Sequence, residues 1–582
     1  MIETSGRRRF GEGREPIQRA NPGRGLVTVL NVVVASHFRA TAFLIACCAL
    51  LFLPGFFNIP PIDREEALSA QATRQMVETG DFIDIRNQEE VRSNKPVAIH
   101  WLQAAAITTA NAFGLPRADV RIWLYRVPSL IGAAGAVLLT YWAALAFVTR
   151  RGAILAALMM CTSVLLGLLA RLANAETMLL LTTTAALGAM ARVYLPWQRG
   201  EERPGPSWST AAIFWTAIAG GILLKGPLIV LFVALPVATL TILDRSAGWL
   251  PRLRPVVGVI WAMALISPWL AAMALRGDAL FDQFDFADDA LGWMMRVVDL
   301  RGGPPGMQFA MFWLMFWPGA ALTALAVPAV WRARREPAAQ FLLAWVVPAW
   351  IVMEIAFAKT PNNVLPLYPA IAILISGTLK QRVLSRRPWL VRGLSWWFVL
   401  PALVAVLAIA GVIALTRQPA FLAWPFAAIA AILGLFAWWL YDDNRGERSL
   451  LNAFAAASFV SLTIYGIILP SLTPLFPSAE IARALRGVVC RQPRAASAGY
   501  SEPSLVFMTG TSTVLTDASG AADFLSQGSC RFALVDSRQE RSFAQRADAI
   551  GLRYAVLTRV EGYNYTTSRS ISVSVFRSED TQ

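Results

Sequence analysis

Thirteen apolar runs, each long enough to cross a bilayer, recur along this 582-residue chain, and they constrain its fold more than any motif does. They begin near residues 40, 128, 152, 177, 211, 227, 255, 308, 339, 362, 395, 420 and 449. A backbone inside hydrocarbon has no water to bond to, so runs of this kind cross as helices that satisfy their own amides. Composition agrees: 15% of residues are charged and mean hydropathy is +0.51, whereas a soluble chain carries roughly a quarter charged residues. Many of the 21 tryptophans lie near the ends of runs, where interfacial belts form. The net charge of +15 alternates with the spans instead of forming one stripe, which points to orientation in a bilayer and away from nucleic acid.

Charge placement orients the spans. With a cytoplasmic N-terminus, the inner loops 149–152, 196–208, 244–254, 331–338, 380–393 and 442–448 hold seventeen lysines and arginines. The outer loops 171–176, 225–226, 276–307, 359–361 and 417–419 hold seven, as the positive-inside rule requires. A further stretch, 97–113, contains His100, Gln103 and Asn111 and reads as an interfacial or re-entrant helix. Residues 1–39 read as a basic cytoplasmic tail, with no cleavage pattern after the first apolar run. The expected fold is an all-α polytopic membrane domain over residues 40–470, with an outer loop at 58–126 and a small extracytoplasmic α/β domain over 471–582. Short apolar runs at 504–508, 532–535, 554–558 and 571–576 mark that last domain.

Cys47, Cys48 and Cys161 fall in apolar runs and read as packing residues. Cys490 and Cys530 share the soluble tail, where a disulfide and a pair of free thiols are equally compatible with the spacing. No Cys-x-x-Cys spacing exists. The only histidines are His37 and His100, so the outer loops after residue 100 hold no His-containing zinc site. No cofactor is expected, and a divalent metal stays open.

Ionisable groups are sparse in membrane proteins, so their clustering is informative. The topology puts Asp63, Glu65, Glu66 and Lys95 in the first outer loop, Glu176 at the start of the fourth span, Lys225 at the end of the fifth and Lys359 at the end of the ninth. Carboxylates and ammonium groups thus meet at one interface. A glycosyl phosphate on a polyprenyl lipid carries its phosphate at that depth. Lysines would bind it and stabilise the charge developing on the leaving group, while a carboxylate took the proton of the attacking hydroxyl. Each residue also has a structural reading. Asp63 and Glu66 fit a capping box after Pro60-Pro61-Ile62, Glu176 suits a helix N-terminus, and Lys225 and Lys359 suit helix C-termini. Glu354, the one acid well inside a span, fits either a structural or a supporting role.

The order of motifs from about residue 40 onward resembles the bacterial branch of glycosyltransferase family 39. These are GT-C fold enzymes related to protein O-mannosyltransferases and to the aminoarabinose transferase that modifies lipid A. Glu65-Glu66-Ala67 through Glu78-Thr79-Gly80-Asp81-Phe82 resembles the family's acidic first-loop helix, and Asn94-Lys95-Pro96 its Lys-Pro motif. Arg171–Leu179 is similar to its second acidic motif, Leu224-Lys225-Gly226-Pro227 to its Lys-Gly turn, and Lys359–Pro369 to its late Lys-Pro/Leu-Pro segment. In the tail, Tyr500–Phe507 and Gly562–Tyr565 match as well.

The resemblance implies a polyprenyl-phosphate sugar donor, a lipid-linked glycan or protein acceptor, and a multi-pass enzyme of the bacterial inner membrane with a periplasmic active site. By position Glu65 and Glu176 take the family's two acidic sites, both Asp in the family, and Arg301 stands where the family often has His. The catalytic set implied is therefore Glu65, Glu176, Asp63 and Glu66, with Lys95, Lys225, Lys359 and Arg301 on phosphate. A non-catalytic carrier-binding relative and a lipid or sugar transporter are the alternatives. The transporter predicts ionisable groups midway through several spans.

Overall fold

The computed structural model describes residues 25–62, 64–91, 96–200, 208–275, 304, 306–355, 360–380, 396–416, 421–442, 446–488, 490, 493–528, 530–564 and 567–579. Helices lie at or close to the expected starts that fall among the described residues; the starts at 395 and 420 lie outside them. Eight helices are long and apolar enough to span a membrane, and the bent pair Met307–Met315 and Gly319–Ala333, turning by 114°, makes a ninth span if counted as one. Three shorter apolar helices, His37–Phe52, Leu228–Asp244 and Leu400–Ala414, accompany them. The run expected from residue 152 is split at Ser163 into Arg150–Thr162 and Val164–Leu169. The protein is a multi-pass membrane protein.

Before the soluble tail the helices are, in order, α1 (Gly25–Val34), α2 (His37–Phe52), α3 (Arg64–Thr79), α4 (Ala98–Ala112), α5 (Ile122–Ala144), α6 (Arg150–Thr162), α7 (Val164–Leu169), α8 (Glu176–Gln198), α9 (Trp208–Lys225), α10 (Leu228–Asp244) and α11 (Pro255–Ala274), followed by the later spans. α1 corrects the reading of residues 1–39 as tail. Its apolar face buries Leu30 and Val33 in the bundle core, because Gly25–Val34 carries no charge to hold it in water. α4 is the helix expected over 97–113. It packs on α3 and α5, and His100 and Gln103 are buried at the α3 contact, where both bond Thr73 Oγ1 at 2.7 and 2.6 Å.

Small residues let the inner helices close up, as bilayer packing favours. A Cβ on Gly132 of α5 would stand 2.8 Å from the Thr177 and Met178 backbone of α8, and one on Gly188 of α8 would meet Trp142 at 2.6 Å. α5 and α8 therefore touch backbone to backbone just beside Glu176.

The tail forms a five-stranded sheet in the order β4-β3-β5-β7-β6, with β3 Arg494–Ala498, β4 Val514–Thr516, β5 Arg531–Asp536, β6 Tyr554–Asn564 and β7 Arg569–Ser578. A separate two-residue hairpin in the first outer loop supplies β1 (Arg86–Asn87) and β2 (Glu90–Val91). β3 pairs parallel with β4 and β5, and the pairs of β7 with β5 and β6 are antiparallel. The period-2 alternation of β5 sends Ala533 and Val535 to helices Ala518–Ser526 and Glu540–Ala549. Phe532 and Leu534 go to the opposite face, under Pro477–Arg486 and Pro503–Thr509. The apolar run 504–508 is thus a helix turn and not a strand: Pro503 at its first position fixes φ for a helix start. The other three runs fall within β5, β6 and β7.

Cys490 and Cys530 are joined in a disulfide that closes a 40-residue separation, while Cys47, Cys48 and Cys161 stay reduced. In an SDS-denatured sample, a maleimide-polymer reagent is expected to add three masses before reduction and five after. Five additions before reduction would refute the bridge. Replacing both bridged cysteines by serine is expected to cost the tail about 2–4 kcal/mol.

Candidate active site

The site is built on a buried ion pair. Glu66, in the first turn of α3, is 2% exposed, and Arg126, in the first turns of α5, is fully buried. Arg126 Nε donates to Glu66 Oε1 at 2.7 Å and Nη2 to Oε2 at 3.1 Å, a fork-on-carboxylate arrangement. The remaining Arg126 donors go to the Ile59, Pro60 and Phe56 carbonyls at 2.8, 2.9 and 3.4 Å. The remaining carboxylate capacity takes the Ile62 amide at 2.8 Å and the Ala173 amide at 3.0 Å. Every lone pair and proton has a partner, the condition under which a buried pair is tolerated. Glu66 reaches back to the backbone just ahead of α3, as a capping box does, and it also crosses to the loop before α8. It is corrected from a proton acceptor to a positioning residue, because its oxygens are filled and sealed from any substrate.

That one carboxylate joins three segments: the Phe56–Ile62 bend, α3 and the 170–175 loop. The loop is held from its other side by Ser129 of α5, whose Oγ donates to the Asn174 carbonyl at 2.9 Å and accepts the Asn174 amide at 3.2 Å. Asn174 Oδ1 in turn accepts the Glu176 amide at 2.9 Å, starting α8. Arg171, fully buried, lies over the Tyr465 ring with its guanidinium 4.0 Å from the centroid and donates to the carbonyls of Leu51, Pro54 and Gly167.

The first turn of α3 and the N-terminus of α8 are therefore fixed to one another, with Glu176 three residues beyond the amide that Glu66 holds. Glu65, one residue before Glu66, is exposed and engaged in a polar interaction. Glu176 Oε1 pairs with Lys225 Nζ at 2.5 Å, their side chains 15% and 30% exposed. Lys225 is the last residue of α9, and the left-handed Gly226 (φ +64) ends that helix and turns the chain into α10. The structure thus brings Glu66, Glu176 and Lys225 together, with Glu65 on the same turn as Glu66. Asp63, Lys95, Arg301 and Lys359 lie outside the described residues.

Glu354 proves to be a tether. Its Oε1 accepts the Gly306 amide at 2.7 Å, joining the chain that follows Arg301 to the helix that precedes Lys359. Among the described residues no group of three or more His, Cys, Asp or Glu side chains could hold a metal ion.

Sequence reasoning missed Arg126 and Arg74. Arg126 was readable as an arginine within an apolar run, which must be buried with a partner. Arg74 links the soluble tail to the site-bearing helix: Nε meets Glu78 at 2.8 Å, Nη2 meets Asp119 at 3.0 Å and Nη1 donates to the Phe507 carbonyl at 2.8 Å. Gln71 to Thr511 (2.8 Å) and Thr511 to Glu78 (2.7 Å) reinforce the seam. The tail accordingly sits at the same end of the bundle as Glu66 and Glu176.

A helical membrane bundle with acids and a lysine gathered at the end that carries an α/β cap is the arrangement of a GT-C glycosyltransferase. The chain has that fold: it superposes on ArnT from Cupriavidus metallidurans bound to undecaprenyl phosphate with a TM-score of 0.69, at 17% identity, covering 93% of this chain and 98% of that one. No family model matches the chain. Curated relatives are undecaprenyl phosphate-alpha-4-amino-4-deoxy-L-arabinose arabinosyl transferases. That of Pectobacterium carotovorum subsp. carotovorum is 26% identical over 66% of this chain and 67% of its own length, and that of Pseudomonas aeruginosa (strain LESB58) is 24% identical over 76% and 80%. The chain is a homologue of these aminoarabinose transferases.

Removing one partner of a filled, buried ion pair leaves a charge with nothing to meet it. Glu66→Gln is expected to destabilise the detergent-solubilised protein by about 3–5 kcal/mol. Glu65→Gln, exposed on the same turn, should stay within about 0.5 kcal/mol of the parent. Thermal unfolding of both variants checks the contrast, and equal melting would dissolve the distinction between them.

Proposed function

We propose that the chain is an inverting glycosyltransferase that moves a sugar from a polyprenyl-phosphate carrier to an envelope acceptor at the periplasmic face of the inner membrane. The observation that carries this reading is the joint made by Glu66, which fixes the first turn of α3 against the start of α8, where Glu176 and Lys225 pair. An exposed acid and an acid–lysine pair on adjoining elements supply both halves of the chemistry. The carboxylate of Glu65 takes the acceptor hydroxyl proton as that oxygen forms its bond to the anomeric carbon. The anomeric carbon–phosphate oxygen bond breaks on the opposite face, and the electron pair leaves on the carrier phosphate. Lys225, with Lys95, Lys359 and Arg301 proposed beside it, meets that charge. Glu176 holds the Lys225 ammonium in place for this task.

The homologues' donor, undecaprenyl phosphate bearing 4-amino-4-deoxy-L-arabinose, is the first to test, with lipid A as the first acceptor. Orientation rests on charge. Arg150 and Arg151 open α6, Arg245 follows α10, and Arg332 and Arg334 end Gly319–Ala333, all at helix ends away from the acid–lysine end. The positive-inside rule turns those ends to the cytoplasm and the site outward.

Transfer of the radiolabelled pentose from synthetic undecaprenyl-phosphate donor to lipid A is the decisive assay. Glu65→Gln and Glu176→Gln are each expected to lower kcat by about 10²–10⁴-fold, the range for loss of a proton-transfer group or its electrostatic partner. Parent-level turnover in both would remove the assignment. The reaction is proposed to need no divalent metal, since cationic side chains meet the leaving group. EDTA should leave the rate unchanged, and a loss restored by Mg²⁺ or Mn²⁺ would refute this.

A further inference from the structure

Arginines without carboxylate partners gather where the soluble tail meets the turn between α4 and α5. Arg117, in that turn, takes a left-handed backbone (φ +54) and leads into Ala118, which is buried against Tyr125 and Phe507. Phe507 belongs to helix Pro503–Thr509. That helix packs on Pro477–Arg486, where Ser504 Oγ meets Ser478 Oγ at 2.8 Å. Arg483 and Arg486, three positions apart in the last turn of Pro477–Arg486, share one face of the helix, and the fold brings Arg117 up to them. All three residues are exposed.

The three charges crowd one another. Partial burial and the nearby guanidiniums of Arg117 and Arg483 hold Arg486 below its ordinary value, as like charges do. Among the described residues no carboxylate forms an ion pair with any of the three. Asp119, two positions after Arg117, spends its carboxylate on Arg74 at 3.0 Å. Arg486 Nε donates to the Ala482 carbonyl at 2.9 Å, a bond that suits a helix end. Helix capping explains that one nitrogen. It does not explain Arg117, which comes from a separate segment and adds a third like charge.

The surroundings place the patch at a bilayer surface. Trp123 lies in the first turn of α5, a spanning helix, and meets the exposed Phe57 edge-on with ring centroids 5.3 Å apart. Phe113, which closes α4, is 87% exposed. Pro477–Arg486 starts shortly after the last membrane helix ends at Ser471. Aromatic rings at span ends mark the boundary between hydrocarbon and headgroups, and guanidiniums at that depth fork onto phosphate oxygens. We propose that Arg117, Arg483 and Arg486 bind the phosphodiester headgroup of an anionic phospholipid in the leaflet beside the α/β domain, with Phe113 set among its acyl chains. The contact is separate from the transfer chemistry and holds whatever sugar the site takes. One headgroup shared by the α4–α5 turn and the tail helix ties the two together beside the Arg74 seam, and so pins the α/β domain to the membrane.

The test uses the full chain in detergent, supplied with phosphatidylglycerol or phosphatidylcholine and read by native mass spectrometry. The parent should retain a phosphatidylglycerol that phosphatidylcholine does not replace. Arg117→Gln, Arg483→Gln and Arg486→Gln together should cut that retention by roughly a hundredfold, about fivefold for each charge removed. Three exposed arginines elsewhere on the tail serve as the control: Arg541→Gln, Arg553→Gln and Arg569→Gln together remove the same charge and should leave retention unchanged. Equimolar glycerol phosphate, the headgroup without its chains, should not displace the lipid. Equal retention by parent and cluster variant, or an equal loss in the control, would overturn the assignment. Displacement by glycerol phosphate or inorganic phosphate would do the same, by making the patch a site for a free anion. Tighter retention of lipid A than of phosphatidylglycerol would also overturn it, by handing the patch to a phosphorylated glycolipid.

Discussion

The Glu66–Arg126 pair is the interaction on which the arrangement of the site depends. A guanidinium and a carboxylate removed from water are tolerated only when every donor and acceptor is met, and here the backbone completes the set. The partners chosen are what matter: Ile59 and Pro60 before α3, Ile62 at its start, and Ala173 before α8. One buried carboxylate thereby fixes three segments that are far apart in sequence. Glu65 and Glu176 inherit their relation to each other from it. Position in the chain makes Glu66 look like a catalytic acid, yet its burial makes it part of the frame.

A second joint works on the side of the α/β tail. Arg74 and Gln71 project from the same helix as Glu65 and Glu66, and they bond the backbone and a hydroxyl of the α/β domain. The T-shaped contact of Tyr125 with Phe507, ring centroids 5.1 Å apart, buries an apolar patch beneath those polar bonds. α3 is therefore held on one side by the membrane bundle and on the other by the cap. The cap and the bundle thus meet on the helix whose first turn carries Glu65 and Glu66.

The transporter alternative fails on where the charges lie. Glu354, the acid nearest the middle of the apolar sequence, spends its carboxylate on the Gly306 amide at a helix end. Arg126 and Arg171, the two fully buried arginines among the described residues, are capped by backbone carbonyls of the bend and loops around them. Charges held at helix ends by fixed partners suit chemistry on a substrate whose phosphate stays at the interface. A pathway through the midplane would place them deeper.

How much of this was legible beforehand follows from the range of the interactions. Spans and the α/β tail were readable because hydrophobic length and strand-like alternation are local properties of a chain. Glu176 and Lys225 were readable as a pair only to the extent that helix ends meet one interface. Which of Glu65 and Glu66 faces solvent was not readable, because adjacent residues on a helix point about 100° apart and only the partner decides. Arg126, 60 residues from Glu66, decides it. The disulfide, left open by spacing, was settled by the fold bringing the end of one helix to the lead-in of β5. By itself, then, the sequence determined that this chain lives in a membrane with ionisable groups gathered near the ends of its spans. Tertiary structure alone decided which acid is buried and which is offered, because that depends on contacts between segments far apart in the chain.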